Sequence, residues 1–211
     1  MHTNLPVREE RPWWRDAVTY QIYIRSYADS NGDGIGDING IRSRLPYLKE
    51  LGIDCIWINP WFASPQKDHG YDVADYMAIN PDYGTMDDAM ALIKEAHASG
   101  IRIILDLVPN HTSDQHKWFQ AALNSAPGSK ERARYIFRDG KGPNGDLPPN
   151  NWEAVFGGPA WERVIGKDGK PEQWYLHLFA VEQPDLNWEN EEVWQHFREI
   201  FKFWLDLEFD G

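Results

Sequence analysis

The sequence predicts an α/β fold in which parallel strands alternate with helices. Apolar, β-branched runs at residues 17–24, 53–59 and 101–108 are typical of strands, and segments with helical periodicity, 38–52 and 85–100, separate them. A chain of 211 residues, 42% of them hydrophobic, is long and apolar enough to bury one core. Strands of this kind are covered on both faces or closed on themselves, so a doubly wound sheet and a (β/α) barrel both remain compatible with the pattern.

The boundaries of the later elements follow from local composition. Each helical segment ends close to a glycine, and Thr85 is a suitable N-cap for the second one. Residues 110–187 are rich in Gly, Pro, Asn and Trp, which makes them too long for a loop and too aromatic for a disordered linker. We therefore predict an inserted subdomain at 110–187, after three βα units in 1–109. Residues 188–211 contain a further helix and then "EFDG", which is typical of the opening of a fourth strand.

Composition excludes several classes of partner. The formal net charge is −12, and no clustered Lys/Arg face is visible, so neither nucleic acid nor an anionic membrane surface is expected as a partner. The lone cysteine, Cys55, lies in an apolar run, which predicts a buried thiol and excludes an intrachain disulfide. The N-terminus has no apolar signal region, and no stretch approaches the ~20 apolar residues that span a bilayer. We expect a cytoplasmic protein.

The stretch "DSNGDGIGD", residues 29–37, suggests an ion site. As an EF-hand loop it begins well, but position twelve, which requires a bidentate Glu, is Gly40, and the flanking segments are a strand and a helix. As a phosphate loop it fails because three aspartates repel a pyrophosphate. A hard-cation site remains, and a solvated Asx-rich turn is the alternative. The predicted oxygen ligands are Asp29, Asn31, Asp33, Asp37 and the Ile35 carbonyl.

Polar clusters follow the predicted strands at their C-terminal ends, where α/β folds bind ligands. "SPQKDHGYDVADY" follows the second strand and "DLVPNH" closes the third. A lone histidine at a strand end and a lone buried aspartate are usually structural. In combination, however, Asp68, Tyr71 and His111 are predicted to converge on one rim.

These motifs resemble those of the α-amylase superfamily, glycoside hydrolase family 13. "DLVPNH" is similar to a signature at the end of barrel strand three, "GYD" to the strand-two element, and "QPDLN" (183–187) to the end of domain B in α-glucosidases and oligo-1,6-glucosidases. The resemblance covers the chain from Trp13 onwards. It implies the N-terminal half of a TIM (β/α)8 barrel with an inserted domain B after strand three. It also implies that "DSNGDGIGD" holds a structural Ca²⁺ or Mg²⁺ ion, with no organic cofactor.

The same resemblance implies roles for five residues in binding a small α-glucoside or malto- or isomalto-oligosaccharide. Asp68 would bond hydroxyls of the terminal glucose, Tyr71 would stack on its ring, and His111 would bond its primary hydroxyl. Asp106 would orient an arginine that precedes the nucleophile, and Phe179 would line the pocket. Carboxylates, a neutral histidine and aromatic faces suit an uncharged sugar and the oxocarbenium-like transition state of retaining hydrolysis.

None of the catalytic carboxylates of that family matches a position in this chain. The nucleophile Asp and the acid/base Glu are expected beyond Gly211, so the activity, retaining hydrolysis of terminal α-glucosidic bonds, is predicted for a longer parent and not for these 211 residues alone. One alternative is a glucosyl-transferring relative, such as a trehalose synthase or sucrose isomerase. An alternative of another class is a non-catalytic sugar-binding module.

The eleven tryptophans invite a sugar-stacking interpretation as well. Trp57, in the second strand, and Trp204, in the last helix, are interpreted as core residues because each lies in an apolar periodic segment. Trp152 and Trp161, in the Gly- and Pro-rich segment, are predicted to line a pocket or lid.

Overall fold

Eight strands and six helices form residues 12–211, the part of the chain that the computed structural model describes. The strands are β1 (Thr19–Ile22), β2 (Cys55–Ile58), β3 (Phe62–Ala63), β4 (Asp75–Ile79), β5 (Arg102–Leu105), β6 (Phe137–Arg138), β7 (Trp161–Ile165) and β8 (Pro171–Leu176). The helices are α1 (Ile24–Tyr27), α2 (Ile38–Leu51), α3 (Met86–Ala98), α4 (Lys117–Leu123), α5 (Lys130–Ala133) and α6 (Glu191–Asp206). The predicted alternation of strands and helices is confirmed.

A parallel sheet of β1, β2 and β5, in that order, is the centre of the fold. Its register is regular, since Ile22 pairs with Ile58 and Ile58 pairs with Leu105. The three strands coincide with the predicted apolar runs but are one to three residues shorter at each end. Five side chains of these strands are fully buried, as expected for a sheet that helices cover: Ile22, Cys55, Ile56, Ile58 and Ile103.

The C-terminal residues lie beside β5 and extend the sheet on that side. Gly211 accepts a hydrogen bond from the Leu105 amide through its carbonyl, and the Asp210 amide donates to the Ile103 carbonyl, both at 2.9 Å. Residues 208–211 are not a regular strand, so the predicted fourth strand is only begun. Each new strand, from β1 through β2 and β5 to the C-terminal residues, is added on the same side of the sheet, which is the strand order of a singly wound barrel. In a doubly wound sheet the strand order reverses partway along the chain. No closed barrel forms within residues 12–211.

Helices α2 and α3 pack side by side; the predicted N-cap Thr85 and the glycine near the end of α2 are confirmed, and Asp37 is a cap that was not predicted from the sequence. Asp37 caps α2 by accepting from the Gly40 amide at 2.6 Å, and Gly52 ends it at φ 80°. Thr85 begins α3 with a capping box, because its side chain accepts from the Asp88 amide and Asp88 accepts from the Thr85 amide in return. Arg42 joins the two helices by an ion pair with Glu95.

A second, antiparallel sheet lies in the segment rich in Gly, Pro and Trp, with the strand order β6-β8-β7. One of its faces packs on α4 through aromatic rings: Phe119 lies 5.1 Å from Tyr135 and 5.0 Å from Tyr175, measured between ring centroids. These rings belong to the same buried cluster as the side chains of the parallel sheet. The two sheets therefore share one hydrophobic core.

The amphipathic helix α6 covers the core with one face, which includes Val193, Phe197 and Trp204. Trp204 is 5% exposed and packs against Trp61, as predicted for a core residue, whereas Trp57 is only half-buried. No helix within residues 12–211 combines the length and the apolarity needed to cross a bilayer.

The single cysteine has the environment predicted for it. Cys55 is fully buried in β2. Burial raises the pKa of its thiol to about 11, which keeps the thiol protonated and unreactive at neutral pH.

Replacing Thr85 with alanine is expected to destabilise the chain by about 1 kcal/mol, because the Asp88 amide loses its hydroxyl acceptor and the Asp88 carboxylate loses the hydroxyl donor, while the Thr85 amide keeps its bond to Asp88. Thr85→Ser, which keeps the hydroxyl acceptor, is the matched control. Urea unfolding of the three proteins measures the difference. Equal stability of the alanine and serine variants contradicts the assignment.

A second prediction concerns acid stability and His116. This residue is 2% exposed and begins α4, where its Nδ1 accepts from the Trp118 amide at 3.2 Å. Burial, and then the neighbouring His196, Lys117 and Arg134, lower the pKa of His116 from 6.5 to about 3. Between these two pH values the unfolded chain binds a proton that the folded chain does not, so the histidine lowers the free energy of unfolding as pH falls.

The loss amounts to at most ~1.4 kcal/mol per pH unit for this one group. His116→Asn retains an N-cap acceptor but does not titrate. We expect the free energy of unfolding of this variant, measured with urea at several pH values from neutral to pH 4, to decline less steeply than that of the unmodified chain. Identical slopes would show that His116 is not buried in its neutral form.

Candidate functional site

One pocket of about 370 Å³ lies at the C-terminal ends of β2 and β5 and contains every residue predicted to bind substrate. It is lined by Asp68, Tyr71, Asp106, Leu107, Val108, Asn110, His111, Phe156 and Phe179. Two lengths of chain create it. The loop from β3 to β4 supplies Asp68 and Tyr71, and the residues directly after β5 supply Asp106 and His111. Residues 110–187, which contain the antiparallel sheet, supply Phe156 and Phe179.

A chain of hydrogen bonds fixes the Tyr71 hydroxyl. It donates to Asp106 Oδ2 at 3.0 Å and accepts from Asn59 Nδ2 at 2.9 Å, and Asn59 in turn accepts from Gln21 at 3.0 Å. Burial raises the pKa of Asp106, while the bond from Tyr71 opposes that rise. Burial and the nearby Asp106 carboxylate raise the pKa of Tyr71 to about 12, so its hydroxyl stays protonated as a donor at neutral pH.

His111 is a neutral imidazole in a defined tautomer. Its Nε2 lies 3.1 Å from the Tyr71 carbonyl, which accepts only, so Nε2 carries the proton. Burial lowers the pKa of His111 below 6.5. Nδ1 is buried and has no hydrogen-bond partner within residues 12–211. The ring packs against Phe179, with centroids 5.0 Å apart.

Gln183 joins the two halves of the pocket, a role that the motif "QPDLN" alone did not reveal. The residue is fully buried, and its Nε2 donates to Asp68 Oδ2 at 2.8 Å while its Oε1 accepts from the Ala180 amide at 2.9 Å. It therefore connects Asp68 to the turn that carries Phe179. Asn59, Gln21 and Phe156 are further site residues that sequence reasoning missed, since none lies in a recognisable motif.

Asp185 also stabilises the turn that carries Phe179. It is 7% exposed, and its Oδ2 accepts from the Leu178 amide at 2.6 Å. Burial raises the pKa of its carboxyl to about 6. The turn before Gln183 is thus held by two buried polar side chains that lie two residues apart.

Trp152 and Trp161 lie away from this pocket. Both line a separate cleft of about 580 Å³ beside the antiparallel sheet, and none of the pocket residues lines that cleft. Trp161 is 3% exposed and forms its floor, whereas Trp152 is 54% exposed. Asn150 connects them, because its Oδ1 accepts from the Trp161 indole at 2.8 Å and from the Trp152 amide at 3.0 Å.

The loop at residues 29–37 is a series of Asx turns. Asp29, Asn31 and Asp33 each accept, through a side-chain oxygen, the amide two positions ahead, at 3.1, 2.9 and 2.7 Å. Asp29 also accepts from the Gly32 and Gly34 amides at 2.7 and 2.8 Å, and these bonds lower its pKa.

The donor set of this loop suits a hard cation, but its geometry is not a finished cage. The available ligands are all oxygens. The Asp37 carboxylate, however, already caps α2 and accepts from the Ser30 amide and hydroxyl at 3.0 and 2.8 Å. No group of three or more acidic, histidine or cysteine side chains converges on one point within residues 12–211.

A protein family and individual known proteins match this chain over most of its length. The model of the α-amylase catalytic domain matches residues 21–211. The oligo-1,6-glucosidase of Parageobacillus thermoglucosidasius is 52% identical over 96% of this chain and 34% of its own length. The trehalose-6-phosphate hydrolase of Escherichia coli (strain K12) is 51% identical over 94% of this chain and 34% of its own length.

Solved structures agree with these relatives. The crystal structure of Bacillus licheniformis trehalose-6-phosphate hydrolase superimposes with a TM-score of 0.88 at 50% identity, covering 95% of this chain and 35% of that one. A mutant isomaltulose synthase from Erwinia rhapontici NX5, in complex with its natural substrate sucrose, gives a TM-score of 0.89 at 48% identity over 96% and 35%. The chain thus spans about a third of the length of its relatives, and it belongs to the α-amylase family, as part of that family's catalytic domain.

Proposed function

We propose that this chain is the N-terminal part of a retaining α-glucosidase that hydrolyses terminal α-glucosidic bonds in small oligosaccharides. The observation that carries the proposal is the single pocket in which Asp68, Tyr71, Asp106 and His111 meet, within a chain about half identical to oligo-1,6-glucosidases. In this proposal the parallel sheet is the beginning of a TIM barrel, and residues 110–187 are the inserted domain B. The position of the antiparallel sheet between β5 and α6 supports that assignment.

The pocket's chemistry suits the non-reducing end of a neutral sugar. Asp68 accepts hydroxyl donors, while the Tyr71 ring and Phe179 provide apolar surface for a pyranose face. Neutral His111 lines the pocket, and its Nδ1 is an acceptor that has no partner within residues 12–211. Two carboxylates at the rim favour the positive charge that develops on an oxocarbenium-like transition state.

Asp106 is proposed to orient an arginine from a later part of the longer polypeptide. Its carboxylate already receives the Tyr71 hydroxyl at 3.0 Å and lies directly after β5, at the rim. The nucleophile and the acid/base, which retaining hydrolysis places about 5 to 5.5 Å apart, are proposed to come from that same later part. Because the chain spans about 35% of its relatives, the activity is proposed for the longer protein and not for these residues alone.

A glucosyl-transferring enzyme is the second candidate. The similarity to isomaltulose synthase, at 48% identity, favours it nearly as well as hydrolysis. The two reactions share the pocket for the terminal glucose and differ in the acceptor, which is water in hydrolysis and a sugar hydroxyl in transfer. Product analysis with maltose and sucrose separates them, because glucose release without isomerised disaccharide indicates hydrolysis.

The 211-residue chain is expected to be inactive on p-nitrophenyl α-glucoside, maltose and isomaltose, and the longer product of the same gene is expected to be active. The two polypeptides are to be assayed side by side, and the disaccharide preference gives the linkage specificity. Activity of the short chain would show that the nucleophile lies within it, and Asp68 and Asp106 would then be the first candidates.

In the longer polypeptide, Asp68→Asn is expected to lower kcat/KM for maltose by at least about 100-fold, because a charged acceptor for sugar hydroxyls is lost and Gln183 loses its ionic partner. Asp75→Asn, at the exposed first residue of β4, makes the same chemical change outside the pocket. Equal activity of Asp68→Asn and Asp75→Asn would show that the pocket does not contribute to the reaction.

We also propose that the loop at residues 29–37 binds Ca²⁺ or Mg²⁺ through Asp29, Asn31, Asp33, the Ile35 carbonyl and Asp37. Support comes from the oxygen-bearing side chains at alternate positions 29, 31 and 33 of an exposed turn, and from the nearby Asp37, whose carboxylate now caps α2. Such an ion would fix the connection between β1 and α2 and would take no part in the chemical step.

Calcium in excess over chelator is accordingly expected to raise the melting temperature, since a ligand at 100 times its Kd stabilises a folded protein by about 2.7 kcal/mol. Asp33→Asn is expected to abolish the increase. Asp168→Asn, in an exposed turn elsewhere, is the control. A calcium effect that survives in Asp33→Asn would place the ion at another site.

A further inference from the structure

The loop that carries Asp68 has a strained backbone on both sides of that residue. Gln66 has φ 62° and His69 has φ 50°, both in the left-handed region that side chains rarely adopt. Among residues 12–211 only Glu208 is a further non-glycine with positive φ. Two of these three conformations therefore lie within two residues of the proposed sugar ligand.

A buried carboxylate holds this loop. Asp72 is fully buried, and no cationic side chain of residues 12–211 forms an ion pair with it. Its Oδ1 accepts from the Asp68 amide and the Ser64 hydroxyl, both at 3.0 Å, and its Oδ2 accepts from the Lys67 amide at 2.9 Å. A buried charge is stable only when hydrogen bonds replace its hydration, so these three donors and the carboxylate depend on one another.

The two ends of the loop are fixed as well. Gly70 has φ 101°, and a Cβ added there would lie 2.7 Å from the Pro60 carbonyl oxygen, so only glycine fits. Gln66 is held through its Oε1, which accepts from the Tyr83 hydroxyl at 3.2 Å. Strained backbone persists only where its surroundings over-determine it, and it clusters at functional sites.

We propose that Asp72 is a positioning residue, which holds the loop from Ser64 to Tyr71 in its left-handed conformation and so presents the Asp68 carboxylate to the pocket and to Gln183. Asp72 does not line the pocket, and the pocket residue to which it is hydrogen-bonded is Asp68, through the Asp68 amide. The proposal rests on the proposed function for the role of Asp68 as a sugar ligand. The placement of the loop is independent of that function.

The first test compares His69→Gly with His69→Ala. The side chain of His69 is exposed and forms no hydrogen bond within residues 12–211, so the two variants differ only in how well each residue adopts the backbone conformation of position 69. At an ordinary position alanine is the more stable of the two, because glycine gains entropy in the unfolded chain. At φ 50° the order reverses, and we expect the glycine variant to melt about 2 to 4 °C above the alanine variant. A higher melting temperature for alanine would overturn the proposal.

The second test follows the hydrogen bonds to Asp72. In Asp72→Asn one acceptor oxygen becomes an NH₂ donor, so either the Lys67 amide or the Asp68 amide with the Ser64 hydroxyl loses its acceptor. We expect about tenfold faster hydrogen exchange at one of these two amides in the 211-residue chain, and no change in Asp75→Asn. Unchanged exchange at both amides would overturn the assignment of Asp72.

The third test separates positioning from stability in the longer polypeptide. Asp72→Asn is expected to raise KM for maltose severalfold, because the loop presents Asp68 less often, whereas His69→Gly, which suits the left-handed conformation, is expected to leave KM unchanged. An unchanged KM in Asp72→Asn would mean that Asp72 only stabilises the loop. If the unmodified longer protein does not act on α-glucosides, the proposed function fails. The melting and exchange results still test whether Asp72 holds the loop in its left-handed conformation.

Discussion

The register of the parallel sheet is the constraint on which the site depends. Ile22, Ile58 and Leu105 lie side by side, so the three strands end at the same edge. The next residues continue the ladder: the Asn59 amide donates to the Ile22 carbonyl and the Asp106 amide to the Ile58 carbonyl, both at 3.0 Å. Asn59 and Asp106 are thereby brought to the two sides of the Tyr71 hydroxyl. A shift of one residue would turn each of these side chains to the opposite face.

This constraint explains why much of the site was predictable. Parallel strands separated by helices must bring their C-terminal ends together, so polar residues just after the strands, such as Asp106 and His111, were expected to share a rim. The three strands of the parallel sheet and the helices α2, α3 and α6 were predictable because apolar periodicity and capping residues such as Thr85 are local signals. The resemblance to the α-amylase superfamily then indicated the functions of these motifs.

The parts that escaped prediction depend on contacts between distant segments. Gln183 meets Asp68 across 115 positions of sequence, and nothing in "QPDLN" specifies which of its side chains reaches the pocket. The left-handed backbone at Gln66 and His69 was equally invisible, since neither residue type requires it. The role of Trp57 was misjudged for a related reason. An apolar strand favours burial, but its side chain lies next to Asp106 and remains half-buried.

The aromatic contact between α4 and the antiparallel sheet has a consequence for folding. Phe119, Tyr135 and Tyr175 pack into the same core as the parallel sheet, so residues 110–187 have no apolar interior of comparable size of their own. Segments that share a core tend to open together as one cooperative unit. We therefore expect residues 110–187 and the parallel sheet to unfold together, so that the walls of the pocket, which they jointly build, lose their order in a single step.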